Sequence, residues 1–166
     1  RRYVGASIAY RKGTNGTRQA GAHDIRAAVR WFRAKADYYR VDPNRIVRYG
    51  SKDIARLMAD PGIVRNRLKI EATVDNARAF LKLSERTSLA AFLWGLIDGK
   101  PRVNRFASLK EVPAESEDCK RISKALKAEG SRSVGSTTMY AFMQASGMVN
   151  DHLISCPRHA PCLKLQ

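Results

Sequence analysis

Acidic residues are scarce in this sequence of 166 residues, which has 15 aspartates and glutamates against 31 lysines and arginines and a net charge of +16. Cysteines are also few, and because three cysteines cannot all pair within one chain, a disulfide framework is excluded. The longest apolar run, Leu89 to Ile97, is about half of the roughly 18 residues that a membrane-spanning helix requires. No secretory signal follows Arg1. We therefore expect a soluble, cytoplasmic protein with no membrane partner.

The excess of positive charge is the first indication of function. A net charge of +16 exceeds what solubility requires of a small domain, so it favours a polyanionic partner, and nucleic acid is the most common polyanion in a cell. The alternative is a basic, highly soluble protein whose charge has no specific partner. With 44% hydrophobic and 28% charged residues, the chain is predicted to fold rather than to be disordered.

The two parts of the chain on either side of Tyr49 differ in their predicted structure. The first part predicts a strand over Tyr3–Tyr10, a loop over Arg11–Gly21 and a helix over Ala22–Tyr39. The second part is helical, and the apolar spacing predicts helices that begin at Ser51 and then span Ile63–Leu83, Ser88–Ile97, Cys119–Glu129 and Ser136–Ala145. The predicted fold class is mainly α: a helical bundle in which two helices flank a hairpin, with or without one short N-terminal strand.

Three stretches of the first part resemble an esterase or lipase of the α/β-hydrolase family: Ile8–Arg11, Asp24–Trp31 and Val41–Val47. In that family they correspond to a central strand, the helix after it, and the lead-in to the strand before the nucleophile. The Gly-x-Ser-x-Gly elbow that the family requires is absent, because the chain reads Gly50-Ser51-Lys52-Asp53-Ile54. We therefore interpret Ser51 as a helix cap and expect no hydrolase activity.

The second part, from about Arg48 to Cys156, resembles the C-terminal portion of DNA-3-methyladenine glycosylase I, a base-excision-repair family with a helix-hairpin-helix element. The matching stretches follow in family order and are Asp60–Arg67, Asn76–Ala79, Phe92–Trp94, Gly99–Pro101, Ser123–Lys127, Val134–Thr138, Tyr140–Ala145 and Val149–His152. This resemblance implies DNA as a partner.

The turn between Gly130 and Gly135, with a predicted helix on each side, is the candidate DNA-binding element. Backbone N–H groups and a helix N-terminus at such a turn can bind a phosphate, and nearby lysines and arginines add positive charge. The predicted DNA-binding residues are Lys124, Lys127, Gly130, Arg132, Gly135, Ser136 and Thr137. The alternative is an ordinary packing unit of two helices. The resembled family usually has aromatic residues where this chain has Ser131 and Ser133.

The resembled family grips its flipped base with an acidic residue and aromatic side chains from its N-terminal portion. That portion carries a Cys-x-Trp start and a His-x-x-Glu-Trp-Gly-like segment, and neither string occurs here. Trp94, Tyr140 and Phe142 lie at core-like helical positions and are interpreted as core residues. No catalytic residue is therefore predicted, and the glycosylase pocket is expected to be absent.

The resemblance also implies a structural zinc ion, which the family binds with histidine and cysteine from both ends of the chain. His152 and Cys156 match the C-terminal pair of ligands. The tail continues with His159 and Cys162, so it holds two nitrogen and two sulfur donors, although Pro157 and Pro161 restrict the loop between them. The alternatives are a half-site without its partners and no bound cofactor, or a zinc site within the tail.

These patterns together predict a chimera that folds as one domain: a hydrolase-like segment (1–48), a glycosylase-like helical region (49–156) and an irregular tail (157–166). The main hypothesis is a protein that binds DNA nonspecifically and lacks a catalytic pocket. The alternatives are a folded chimera with no native function and an active DNA glycosylase that removes 3-methyladenine. An unpartnered strand at Tyr3–Tyr10 further predicts a homo-oligomer, most simply a dimer.

Overall fold

The computed structural model of the chain describes residues 42–163. The predicted strand Tyr3–Tyr10 and helix Ala22–Tyr39 lie outside these residues. The described range is mainly helical, which confirms the predicted fold class, and none of its helices is both long enough and apolar enough to cross a membrane. Its elements are α1 (Pro43–Ile46), α2 (Ser51–Ala59), α3 (Arg67–Ser84), α4 (Leu89–Gly95), β1 (Arg102–Val103), α5 (Glu117–Ala128), α6 (Ser136–Ser146), β2 (Val149–Asn150) and α7 (His159–Leu163).

Helix α2 begins at Ser51, but Ser51 is not its capping residue. Gly50 occupies the N-cap position, and its backbone N–H donates to the Asp53 carboxylate at 3.2 Å. A carboxylate in the first turn also interacts favourably with the positive end of the helix dipole. The prediction that Ser51 caps this helix is therefore wrong, because the side chain that reaches back to the N-cap comes from Asp53.

Helix α3 begins at Arg67 rather than at the predicted Ile63, because two side chains bond to the backbone just before it. The Asp60 carboxylate accepts the Gly62 N–H at 2.8 Å and stabilises the turn around Pro61. Asn66 is the N-cap, and its side-chain oxygen accepts the Lys69 N–H at 3.1 Å. These side-chain bonds stabilise a non-helical backbone before Arg67. The spacing of apolar residues does not reveal them.

The main core lies between α4, α5 and α6, which bury a continuous apolar cluster. Ile97, Ile122 and Met143 have no exposed surface, and neither does Cys119. The Cys119 thiol also completes a capping box at the start of α5, since its Sγ accepts the Ser116 N–H at 3.0 Å and lies 3.0 Å from the Ser116 carbonyl oxygen. In most capping boxes the side chain that accepts the N-cap N–H belongs to a glutamate or glutamine at the third helical position, whereas here it is the Cys119 thiol.

A short parallel pair of strands connects the segment after α4, which contains β1, to the segment after α6, which contains β2. Arg102 pairs with Val149, and Val103 pairs with Asn150. The Arg102 N–H donates to the Met148 carbonyl at 2.9 Å, and the Asn104 N–H donates to the Asn150 carbonyl at 3.1 Å. The sequence does not predict this pair, because strands of two residues are too short for alternation to be visible.

The predicted irregular tail contains the helix α7, which is anchored to the strand pair through His159. The His159 ring is buried, and its Nε2 lies 3.0 Å from the Asn104 carbonyl oxygen. The Asn150 side-chain amide donates to the His159 carbonyl at 3.2 Å. Residues 157–163 of the tail are therefore packed against the strand pair.

Candidate nucleic-acid interface

The hairpin, which we define as residues 129–135 between α5 and α6, begins with a Schellman motif. The Ser131 N–H donates to the Leu126 carbonyl at 2.9 Å, and the Gly130 N–H donates to the Lys127 carbonyl at 3.0 Å. This motif requires a left-handed residue, and Gly130 has φ +92°. The glycine predicted to permit close backbone approach therefore also has a structural role, which is to end α5 and turn the chain.

The middle of the hairpin is held by Asn76, a residue of α3 that the sequence analysis did not assign to the site. Its side-chain oxygen accepts the Arg132 N–H at 2.7 Å, and its side-chain nitrogen donates to the Arg132 carbonyl at 3.0 Å. One amide thus satisfies both backbone groups of the same residue. No local signal could have revealed this contact, because the two residues lie 56 positions apart.

Arg132, a predicted DNA-binding residue, has its guanidinium paired with Asp75. The distance between Arg132 Nη1 and Asp75 Oδ2 is 2.7 Å, and Arg78 Nη1 lies 2.9 Å from the other oxygen of the same carboxylate. The hydrogen bond from Arg132, and then its charge, hold the pKa of Asp75 below its usual value. Because the pKa is lowered in the folded state, the carboxylate stays ionised at neutral pH, and the pairing is lost only as the pH falls through that lowered pKa.

The hairpin ends where α6 begins, and this end presents backbone donors. The Ser123 hydroxyl donates to the Val134 carbonyl at 2.6 Å, which fixes the chain just before the N-cap residue Gly135. The first intrahelical bond runs from the Met139 N–H to the Gly135 carbonyl, so the N–H groups of residues 136–138 precede it. Such N–H groups, together with the helix dipole, favour an anion.

All seven predicted DNA-binding residues lie on α5, in the hairpin or in the first turn of α6. Lys124 and Lys127 lie on the exposed side of α5, and within residues 42–163 neither forms an ion pair. Gly130, Arg132 and Gly135 lie in the hairpin, and Ser136 and Thr137 form the first turn of α6. Arg132 differs from the two lysines, because its charge is already matched by a carboxylate.

An apolar cavity of about 180 Å³ lies between α3, α4, α5 and α6, next to the hairpin. Among the residues that line it are Phe80, Leu83, Leu93, Leu126, Ser131 and Phe142. Phe142 is 40% exposed, so its prediction as a core residue is wrong, whereas Tyr140 is buried and Trp94 packs against the core as predicted.

His152 and Cys156, the predicted half-site for zinc, are close enough to share one ion. Their Nδ1 and Sγ atoms are 3.5 Å apart, which is about the separation of a nitrogen and a sulfur ligand around a tetrahedral zinc with bonds of about 2.0 and 2.3 Å. The His159 ring is instead bonded to the Asn104 carbonyl. No group of three or more metal-ligating side chains forms within the described residues, so the tail does not assemble a zinc site of four ligands.

We expect the substitution Gly130→Ala to destabilise the fold by about 1–2 kcal/mol, because a side chain at φ +92° meets the steric penalty of left-handed backbone. Gly95→Ala is the matched control. Within residues 42–163, no atom beyond the local backbone and the adjacent residues lies within 4 Å of where either Cβ would be added, and Gly95 lies in α4 without a positive φ. Urea unfolding of both variants measures the difference, and an equal effect at the two positions would contradict the strain at Gly130.

The comparisons with known proteins identify one family. Methyladenine glycosylase matches residues 24–159. DNA-3-methyladenine glycosylase 1 of Escherichia coli (strain K12) is 36% identical over 139 residues, which cover 83% of this chain and 74% of that protein. DNA-3-methyladenine glycosylase of Haemophilus influenzae (strain ATCC 51907 / DSM 11121 / KW20 / Rd) is 38% identical over 140 residues, which cover 84% of this chain and 76% of that protein.

A solved structure of 3-methyladenine DNA glycosylase I agrees with this result, with a TM-score of 0.71 and 38% identity over 82% of this chain and 75% of that one. The family match begins at residue 24, inside the segment 1–48 that was predicted to be hydrolase-like. The comparisons give no support to a hydrolase fragment or to a chimera. The chain belongs to the methyladenine glycosylase family.

Proposed function

We propose that this protein is a DNA repair glycosylase that binds duplex DNA through the hairpin and releases 3-methyladenine from it. The single observation that supports the binding step is the hairpin itself, whose backbone is fixed from three sides by Asn76, Ser123 and the Schellman motif. This fixed backbone leads into α6, whose first-turn N–H groups at residues 136–138 can then bind a phosphate without further loss of conformational entropy. Family membership supports the reaction, because the relatives are named as 3-methyladenine glycosylases.

The reaction requires that the base leave the duplex before its bond to the sugar is hydrolysed. Enzymes that act on a base generally extrude it from the stack and hold it between aromatic or apolar side chains. Phosphate contacts on the neighbouring backbone position the enzyme for this step but carry no sequence information. The hairpin therefore has a positioning role in the proposed reaction, and we assign no catalytic role to a described residue.

Binding without excision is the second candidate function. It is favoured by the net charge of +16 and by the fixed hairpin, which support phosphate contacts but supply no chemistry for base release. The two candidates differ in one observable, which is the release of the free base.

The test is an excision assay on methylated duplex DNA, with the free base detected by mass spectrometry. The protein should be produced in a host other than E. coli, because that organism has a glycosylase 36% identical to this chain. Release of 3-methyladenine by the wild-type chain, reduced in the Gly130→Ala variant prepared in the same way, is the expected result. DNA retardation without base release would support the second candidate. The absence of both DNA binding and base release would refute both candidates.

A further inference from the structure

We propose that Asp75 and Asn76, two consecutive residues of α3, are positioning residues for DNA binding: Asn76 fixes the hairpin backbone, and Asp75 holds Arg132 until a DNA phosphate replaces it. This inference rests on the proposed function, because it concerns the same hairpin. Neither residue touches the α6 N-terminus through any described contact, so both act through Arg132.

Asn76 is suited to its role because an amide side chain is both a donor and an acceptor. It accepts from the Arg132 N–H at 2.7 Å and donates to the Arg132 carbonyl at 3.0 Å. An aspartate could accept but not donate, and an alanine could do neither. The pair of bonds fixes the peptide planes on both sides of Arg132, and this fixes the path of the chain that leads to Gly135 and the first turn of α6.

Asp75 competes with DNA for the same cation. Its carboxylate binds Arg132 at 2.7 Å and Arg78 at 2.9 Å, and Glu71 adds a further negative charge near Arg132. The Arg132 side chain is nevertheless 46% exposed, so a phosphate can reach the guanidinium. Ion pairs at the surface are weak, because water and salt screen them. A phosphate that approaches the hairpin is therefore first repelled by the Asp75 carboxylate. When it reaches the guanidinium, it can displace that carboxylate and pair with Arg132.

This arrangement predicts opposite effects for substitutions at two adjacent residues. Asp75→Asn removes the competing charge, so DNA affinity should rise roughly three- to tenfold at low salt. The log-log salt dependence should also steepen by about one unit, because in the wild-type chain salt weakens the Asp75–Arg132 pair that DNA must break and so offsets one phosphate contact. Asn76→Ala should weaken binding without changing that slope, because no charge is lost. In the double variant Asp75→Asn with Arg132→Gln, the added slope should disappear.

The experiment measures DNA affinity by fluorescence anisotropy against salt for these variants. Asp98→Asn is the control, because Asp98 is also a carboxylate paired with an arginine, at 3.2 Å from Arg102, and it lies on the loop after α4 rather than on α3. If Asp75→Asn behaves like Asp98→Asn, the proposed competition is refuted. Circular dichroism checks folding, and if Asn76→Ala does not fold, the comparison of Asp75→Asn with its double variant decides.

The failure of this inference is distinguishable from failure of the proposed function. If the wild-type chain does not bind duplex DNA at any salt concentration, the proposed function fails. If it binds but the Asp75 and Asp98 variants have the same affinity and the same slope, only the inference about α3 fails.

Discussion

Raising the salt concentration from about 50 to about 200 mM should weaken duplex DNA binding by roughly 250- to 1,000-fold. The physical reason is counterion release, since a protein that neutralises about four to six phosphates gives a log-log slope of about −4 to −5. The net charge of +16 and the lysines beside the hairpin supply the cations. Fluorescence anisotropy titrations over this range measure the slope. No retardation of duplex DNA at low salt would end the DNA-binding hypothesis.

The two hairpin lysines allow this result to be localised. Replacing both Lys124 and Lys127 with glutamine should make the slope about two units shallower, because each lysine that contacts a phosphate contributes about one unit. Lys110→Gln is the control, since Lys110 lies in the segment before α5 and the hairpin follows the other end of that helix. An equal change of slope per replaced lysine in the two proteins would mean that binding depends on the overall charge rather than on the hairpin.

Ile122→Ala should lower the free energy of unfolding by about 2–5 kcal/mol, the range for large-to-small substitutions in well-packed cores. Ile122 has no exposed surface, and it belongs to the cluster that α4, α5 and α6 share. Such a loss is a large fraction of the roughly 5–15 kcal/mol that stabilises a typical domain. Because α5 and α6 flank the hairpin, DNA binding should decrease as the unfolded fraction of the protein increases.

Urea unfolding monitored by circular dichroism measures this effect, with the midpoint shifted and the slope of the transition unchanged. Leu68→Ala is the control, because Leu68 lies on α3 with 65% of its surface exposed. Exposed substitutions of this kind usually change stability by about 0.5 kcal/mol or less. A small effect at Ile122 would show that the core around α5 repacks easily.

The helices could be predicted from the sequence, whereas their exact starts could not. Apolar residues at helical spacing placed α2 to α6 correctly, because each helix buries one face, as α5 does with Ile122 and Leu126. The start of α3 was misplaced because the side chains of Asp60 and Asn66 compete with helix formation. The strand pair was missed because the Arg102–Val149 pairing joins distant residues and leaves no periodic pattern.

Only part of the candidate site could be predicted, again because contacts between distant residues leave no local pattern in the sequence. The glycines and lysines around the hairpin are close in sequence, so a turn between two helices with basic flanks was visible directly. The contacts that fix it come from Asp75 and Asn76, whose partner Arg132 is more than fifty residues away. The assignment of Arg132 as a free phosphate ligand was incomplete, because sequence alone does not show which acidic residue pairs with it. The dimer remains a prediction.

The cap at the start of α5 has a consequence for chemical labelling. Cys119 has no exposed surface and its thiol is occupied by Ser116, whereas Cys156 and Cys162 are partly exposed. Thiol reagents react with the accessible thiolate, so alkylation should modify the two tail cysteines first and reach Cys119 only when α5 separates from the core. The rate of that third modification would then report the opening equilibrium of the helix that leads into the hairpin, without an engineered cysteine.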